Sequence, residues 1–385
     1  MIVLCALGLA WQAAPAAGKL ATPRPVAEKP AAVKPVAVSS VPPMAAQAER
    51  LRRAGQLDEA LKLYRQGVAV APRWADGWWS VGTLSYLKGQ YPACRDALQR
   101  YVALETNSSA GLAFLGLCQF ETGQFDAALR GLEKAYAMGL PAGDPVTREA
   151  LYKLAVVQNK SGNFERALQI CTGLHREKES IEVVALAGLA ALRKPIFPQE
   201  MSSDDRELIF KMGRAMMLAA DRHAAEAGKL LAELVESYPK APNVNYAYGA
   251  FLIATEADRG LDELRAELKL DPHHLPAQVT LADELLKRGH PAEALTVAEH
   301  AAKQAPRNFP ARALYGRALV ENGQVQPGIV ELEQALKLAP DSPQVHFFLA
   351  SAYGKAGRKE EAARERERFL KLKQTGPALA APEAK

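Results

Sequence analysis

The feature that most narrows what this chain can fold into is a spacing. Gly289, Gly323 and Gly357 stand 34 residues apart, and so do Pro272, Pro306 and Pro340. A fixed period of this length is the signature of a supersecondary unit copied along the chain. The unit Leu275–Asn308, LPAQVTLADELLKRGHPAEALTVAEHAAKQAPRN, predicts two short helices back to back. Pro276 suits a first-turn position, where its missing N–H costs nothing. Gln278, Leu281, Ala282 and Leu285 follow one helical face. Gly289 interrupts the run, and Ala294, Leu295, Ala298 and Ala301 form the apolar face of a second helix. Pro306 closes it, because proline cannot continue a helix interior.

The same punctuation runs through the rest of the chain. Gly55, Gly89 and Gly123 are again 34 apart, in GQLDEAL, GQYPACR and GQFDAAL. A fourth copy, GNFERAL at 162–168, follows Gly123 by 39 residues, and the extra residues are expected in a loop insertion at Gly143–Thr147 containing Pro145. The pattern then weakens. Ile181 to Leu192 predict one helix, Pro195 and Pro198 interrupt, and SSDDRE at 202–207 resembles a helix N-cap with acidic groups near the dipole. Helices are expected near Leu208–Ala220 and His223–Tyr238, then in copies at 241–274, 275–308, 309–342 and 343–376, the first of these four being the least regular. The expected organisation is four repeats over 45–181, an irregular joint at 182–206, five repeats over 207–376, and a tail at 377–385.

Composition is consistent with such an array. With 49% hydrophobic residues and 24% charged, the chain has enough apolar surface to bury, and in a repeat array each unit buries its face on its neighbours. Of the net charge of +5, three units lie in residues 15–44 (Lys19, Arg24, Lys29 and Lys34 against Glu28). The near-neutral repeats argue against a nucleic-acid-binding surface. In the last copy, the mixed charges Arg364 to Arg368 are those of a solvated terminal helix.

The first 17 residues resemble a secretory signal peptide: an apolar run from Ile2 to Ala10, then Ala14-Pro15-Ala16, although no basic residue precedes the run. Residues 18–44 are rich in Pro, Ala and Lys and are expected to form a linker. The expected location is therefore the periplasm, the envelope or outside the cell; the chain is cytoplasmic if the leader is not a signal, and a membrane is met only through the leader if it stays uncleaved. Beyond the leader stand Cys94, Cys118 and Cys171, an odd number with no C-x-x-C. All three are expected to pack as small hydrophobes in the core. The seven histidines form no H-E-x-x-H, and there is no P-loop, G-x-G-x-x-G after a strand, or G-x-S-x-G elbow. No metal, cofactor or catalytic function is expected.

These residues resemble the tetratricopeptide repeat family. Trp78, Val81, Gly82 and Ser85 match the first helix of the family pattern in the second copy. The small residue at which the two helices approach is Gly82, Gly116, Ala155, Ala215, Ala282, Gly316 and Ala350 in successive copies. A second small position is filled by Ala60, Cys94, Ala128, Ala167, Ala227, Ala294 and Ala362, with Tyr248 and Gly260 departing from the two patterns. The resemblance implies an all-α fold, an α-solenoid of about nine helix-turn-helix repeats. It also implies protein or peptide binding on the face lined by the first helix of each repeat.

Carried onto this chain, the family's inward-facing positions are Trp79, Thr83 and Tyr86, then Ala113, Leu117 and Phe120, then Tyr152, Val156 and Asn159, then Met212 and Met216. Later copies contribute Asn245, Gly249, Val279, Asp283, Ala313, Arg317, Phe347 and Ser351, a more mixed wall. Ala45 and Glu49 cannot form the carboxylate clamp of one family member type. An aromatic wall instead suits an apolar peptide or helix. The expectation is a non-catalytic scaffold that binds protein through Trp79, Phe120 and Tyr152. The alternatives are a self-assembling envelope component and an accessory subunit that recruits substrate to an enzyme on another chain.

Overall fold

The computed structural model describes residues 41–375. The expected leader, most of the linker and the tail lie outside these residues. All regular structure among them is helical. The first pairs are α1 (Val41–Arg53) with α2 (Leu57–Val70), α3 (Ala75–Leu87) with α4 (Tyr91–Leu104), α5 (Ser109–Glu121) with α6 (Phe125–Met138), and α7 (Pro145–Lys160) with α8 (Phe164–Glu177). Helix α9 (Ile181–Ala191) follows alone, then a 3-10 turn at Pro198–Glu200. The later helices are α10 (Arg206–Ala220), α11 (Ala224–Ser237), α12 (Val244–Leu252), α13 (Ala257–Leu270), α14 (Leu275–Lys287), α15 (Pro291–Gln304), α16 (Phe309–Glu321), α17 (Val325–Leu338), α18 (Pro343–Lys355) and α19 (Lys359–Thr375). The fold is an all-α solenoid of helix-turn-helix repeats. The described residues divide between Met217 and Leu218 into two compact units.

Two boundaries differ from expectation. Helix α1 begins at Val41, inside the stretch read as linker. Pro145 does not sit in a loop insertion: it opens α7, with Asp144 as N-cap accepting from Thr147 N at 2.9 Å. The inserted residues therefore lie before Pro145, where Gly139 and Gly143 carry φ of 88° and 75°. Proline at a first-turn position with an aspartate cap before it starts a helix.

The turn within every pair but α12–α13 has one construction. At Gly123 the backbone turns left-handed (φ 74°), and the next N–H, of Gln124, bonds back to the carbonyl of Gln119 at 2.8 Å. This closure satisfies the last carbonyls of the first helix, and glycine makes the positive φ easy. The same bond recurs as His290 N to Leu285 O, Gln324 N to Leu319 O and Arg358 N to Tyr353 O. Two non-glycine residues fill this position: Arg193 (φ 52°) and Arg222 (φ 67°), followed by Lys194 N to Leu189 O and His223 N to Leu218 O, both 2.9 Å. So α9 ends in the usual turn, yet no second helix follows it.

In the first unit, small residues let paired helices approach. A Cβ at Gly82 would fall 2.5 Å from Cγ of Leu98, itself fully buried. The closest approach joins α9 to α10, where a Cβ on Gly188 would lie 1.9 Å from the Ile209 carbonyl oxygen and one on Gly213 1.9 Å from that of Val184. With the second helix of its pair missing, α9 packs directly on the next first helix.

Cys94 in α4 and Cys118 in α5 are joined by a disulfide, with Cα atoms 6.0 Å apart. This corrects the expectation of three isolated core thiols. Twenty-four residues separate the two in sequence, and only repeat stacking brings them together. Cys171 remains a buried free thiol.

In the second unit, α12 departs from the repeat pattern. Asn243 adopts φ 70° before it, and no left-handed residue closes its end. Its first N–H groups are capped from the neighbouring helix: the fully buried carboxylate of Glu267 accepts from Asn243 N at 2.7 Å and from Tyr246 N at 3.2 Å. Regular copies return at α14, whose Gln278, Leu281, Ala282 and Leu285 are all buried.

Candidate functional site

The candidate wall is built on α3, α5 and α7, the first helices of three successive repeats in the first unit. Trp79, half-buried on α3, packs edge-on to Phe114 of α5 (centroids 5.2 Å) and tilted on Tyr101 of α4 (5.1 Å). Tyr86, one helical stretch further along α3, meets the same Phe114 at 5.7 Å and Tyr91 at 5.8 Å. Phe120 on α5 meets Phe125 at 5.4 Å, and the ammonium of Lys153 on α7 lies 4.5 Å above its ring. Edge-to-face contacts are the favoured geometry for such rings. The result is a half-exposed aromatic row that runs from one repeat to the next.

Charged groups flank this row. Lys153 Nζ pairs with Glu121 at 2.9 Å and with Glu149 at 3.6 Å. Burial pushes the Tyr86 phenol up to about 12, helped by the nearby carboxylates Glu149 and Glu121. Tyr152 is likewise raised to about 12, chiefly by burial. Both hydroxyls therefore stay protonated in neutral solution and can donate a hydrogen bond to a ligand.

Of the ten residues expected to line the wall, five are half-buried and accessible: Trp79, Thr83, Tyr86, Phe120 and Tyr152. Thr83 turns its hydroxyl to the carbonyl of Trp79 at 2.9 Å. The other five are buried and correct the expectation: Leu117 (0% exposed), Val156 (3%), Asn159 (0%), Met212 (0%) and Met216 (2%). The reason is geometric. First helices of neighbouring repeats pack side by side, α5 on α3 and α7 on α5, so Leu117 and Val156, the middle inward positions of α5 and α7, are covered by neighbouring helices. Ala113 is buried too, and Phe114 beside it takes the exposed place. Phe114 and Lys153 were missed because a strict copy of the period lands one residue before each, on Ala113 and Tyr152, and Tyr101 because it lies on the second helix of its pair. The half-buried aromatic at Phe114 was visible only as another apolar residue on a helix rich in them.

Asn159 has a different role. Its amide donates to the carbonyls of Lys194 and Ile196, at 2.9 and 3.1 Å. It thereby holds the segment after α9 against the end of α7.

In the second unit two of the inward positions, Asp283 and Arg317, carry charge. Asp283, almost fully buried on α14, has Lys287 Nζ 2.8 Å from one oxygen and Arg317 Nη1 of α16 3.6 Å from the other. Arg317 also pairs with Glu321 at 2.7 Å and covers the Phe348 ring at 5.1 Å. Phe347 of α18 is 52% exposed and leans on Phe369 at 5.4 Å. Asn245 and Ala313 are buried. A separate hollow of about 420 Å³ in this unit, lined by Gly228, Tyr248, Phe251 and Arg259 among others, shares no residue with the aromatic row. No group of His, Cys, Asp and Glu among the described residues could hold a metal ion.

The sequence profile of the tetratricopeptide repeat matches residues 45–109, 115–178, 279–327 and 328–377, more than half of the chain. Among curated proteins, Cellulose synthase 1 operon protein C of Komagataeibacter xylinus is 28% identical over 224 residues, which cover 51% of this chain and 16% of that protein. The chain thus spans about a sixth of that relative's length. Similar solved structures include MamA from Desulfovibrio magneticus RS-1, 23% identical with a TM-score of 0.40 and covering 44% of this chain and 96% of that one. YrrB, a TPR protein with an unusual peptide-binding site, is 16% identical with a TM-score of 0.38, covering 44% of this chain and 87% of its own. On these profile matches, this chain belongs to the tetratricopeptide repeat family.

Proposed function

We propose that this protein is an exported, non-catalytic scaffold that holds a partner protein along the first-helix face of its first unit. The single observation that carries this reading is the half-exposed aromatic row Trp79–Phe114–Tyr86 with Phe120 and Tyr152, flanked by Lys153. Rings held by their neighbours present apolar area without losing much side-chain freedom on binding, and such residues dominate interface energetics. The partner segment it suits is apolar or aromatic, with an acceptor for the tyrosine hydroxyls. Because the wall is preformed, binding need not order the scaffold.

Export is supported by the Cys94–Cys118 disulfide, since such bonds persist in oxidising compartments and are rare where thiols are kept reduced. It is also supported by the apolar leader composition of residues 1–17. The test of the groove is a double variant, Trp79→Ala with Tyr152→Ala. Loss of a captured partner with unchanged helical circular dichroism is the expected result, and unchanged capture would remove the groove assignment. A second reading follows from the likeness over 51% of the chain to a cellulose synthase operon protein: an accessory repeat module working beside a synthase on another chain. Co-purification of a synthase subunit with the tagged full chain would favour it.

A further inference from the structure

The segment between α9 and α10 occupies a place where other repeats carry a helix. After the turn at Arg193 the chain crosses back over α7 to reach Phe120 and Phe125. Phe197 packs on Phe125 (centroids 4.9 Å) and edge-on to Phe120 (6.4 Å), with the Lys160 ammonium 4.7 Å from its ring. Three residues on, Glu200 pairs with Lys160 Nζ at 3.0 Å and accepts the backbone N–H of Phe197 at 2.8 Å. The buried amide of Asn159 grips the main chain at Lys194 and Ile196. An aromatic ring, a carboxylate three residues later and two carbonyls are thus each met by a matching group on the repeats. This is how a bound peptide is held, here by the chain's own segment.

We propose that Phe120, Phe125, Asn159 and Lys160 form a docking site for a partner segment that makes a tight turn and bears an aromatic residue followed three residues later by Glu or Asp, and that residues 194–200, which turn in this way at Pro198–Glu200, occupy it as an internal ligand. The chemistry on both sides commits the site to this class. Phe120 and Phe125 give an aromatic cradle, and Lys160 supplies the cation that meets both the ring and the acid. Asn159 reads main chain rather than side chain, so the motif needs little else. The ion pair that helps hold the internal segment is half-exposed: Lys160 and Glu200 keep 37% and 45% of their side-chain surface. Solvated pairs of this kind are weak, so a partner present at higher local concentration can take the place of the segment. Bound intramolecularly, the segment lowers the apparent affinity for any partner by the fraction of molecules in which the site is free.

The inference deepens the groove reading, sharing only Phe120 with it, and its test is separable. The probe is a fluorescent peptide of residues 194–201, KPIFPQEM, titrated onto the full-length chain. A variant with Phe197→Ala and Glu200→Ala vacates the site and is expected to bind the peptide at least about tenfold more tightly than the wild type. Adding Phe125→Ala and Lys160→Ala should abolish that binding, as should replacing Phe or Glu in the peptide. Adding Trp79→Ala and Tyr152→Ala instead should leave it intact, so the groove reading can fail without this one. Helical circular dichroism and melting of every variant establish that it is folded. A folded, vacated variant that binds no better than the wild type would overturn the proposal. So would a vacated variant that self-associates in light scattering without binding peptide, because the occupant would then be a second copy.

Discussion

Arg193 and Arg222 hold the left-handed conformation that every other turn of this construction gives to glycine. A side chain there costs about 1 kcal/mol or more, partly offset because glycine loses more freedom on folding. Arg222→Gly should therefore raise the melting temperature slightly, by up to about 1 kcal/mol of stability. Arg193→Gly should gain less, because Arg193 pairs with Glu165 at 2.5 Å and lies 4.7 Å over the Phe164 ring. Thermal melts of the two single variants compare them directly. These turns were not legible in the sequence: a glycine announces a positive φ, whereas an arginine does not. The apolar faces, by contrast, were legible to the residue, as at Leu281, Ala282 and Leu285, since helical periodicity and burial are the same fact seen twice. Tyrosines add a pH signature. Tyr86 and Tyr152 are raised from 10.0 to about 12 in the folded state. Their contribution is complete below pH 10, and it is lost as pH rises from there through 12, because the unfolded chain ionises first. Replacing both by phenylalanine should make the melting temperature less sensitive to pH across that interval.

Among the elements, α9 and α10 are the most constrained pair. A methyl group on Gly188 would meet backbone, not a movable side chain, 1.9 Å away. Gly188→Ala should thus cost about 3 kcal/mol by overpacking, whereas an alanine at Gly173, which has nothing nearby, should be tolerated. Urea unfolding of the two variants gives the comparison. Element packing also explains which wall residues the sequence misplaced. Leu117, Val156, Met212 and Met216 stand at inward positions, yet all four are buried. One repeat taken alone cannot show what the next repeat covers. The role of Asn159 was hidden for a related reason: its partners, Lys194 and Ile196, lie 35 and 37 residues away in a segment with no repeat pattern.

For the whole molecule, a covalent link ties the second repeat to the third. Closing a loop of 24 residues is worth about 3 kcal/mol in the chain-entropy description. Reduction should lower the melting temperature of the wild type and leave a Cys94→Ala, Cys118→Ala variant unmoved. In an exported protein both thiols should resist alkylation in intact cells until a reductant is added; ready labelling would contradict export. The fold class could be read from a 34-residue period because stacking repeats all obey the same packing rule. The site could be read only in outline, because a binding wall consists of what that packing leaves uncovered. The central claim, that the partner lies on the aromatic row, is tested most directly by a photo-crosslinking residue placed at Tyr86, with Val330, an exposed position on α17, as the control. A discrete crosslinked partner from position 86 and none from 330 is the predicted result, and equal crosslinking from both positions, or from 330 alone, would contradict it.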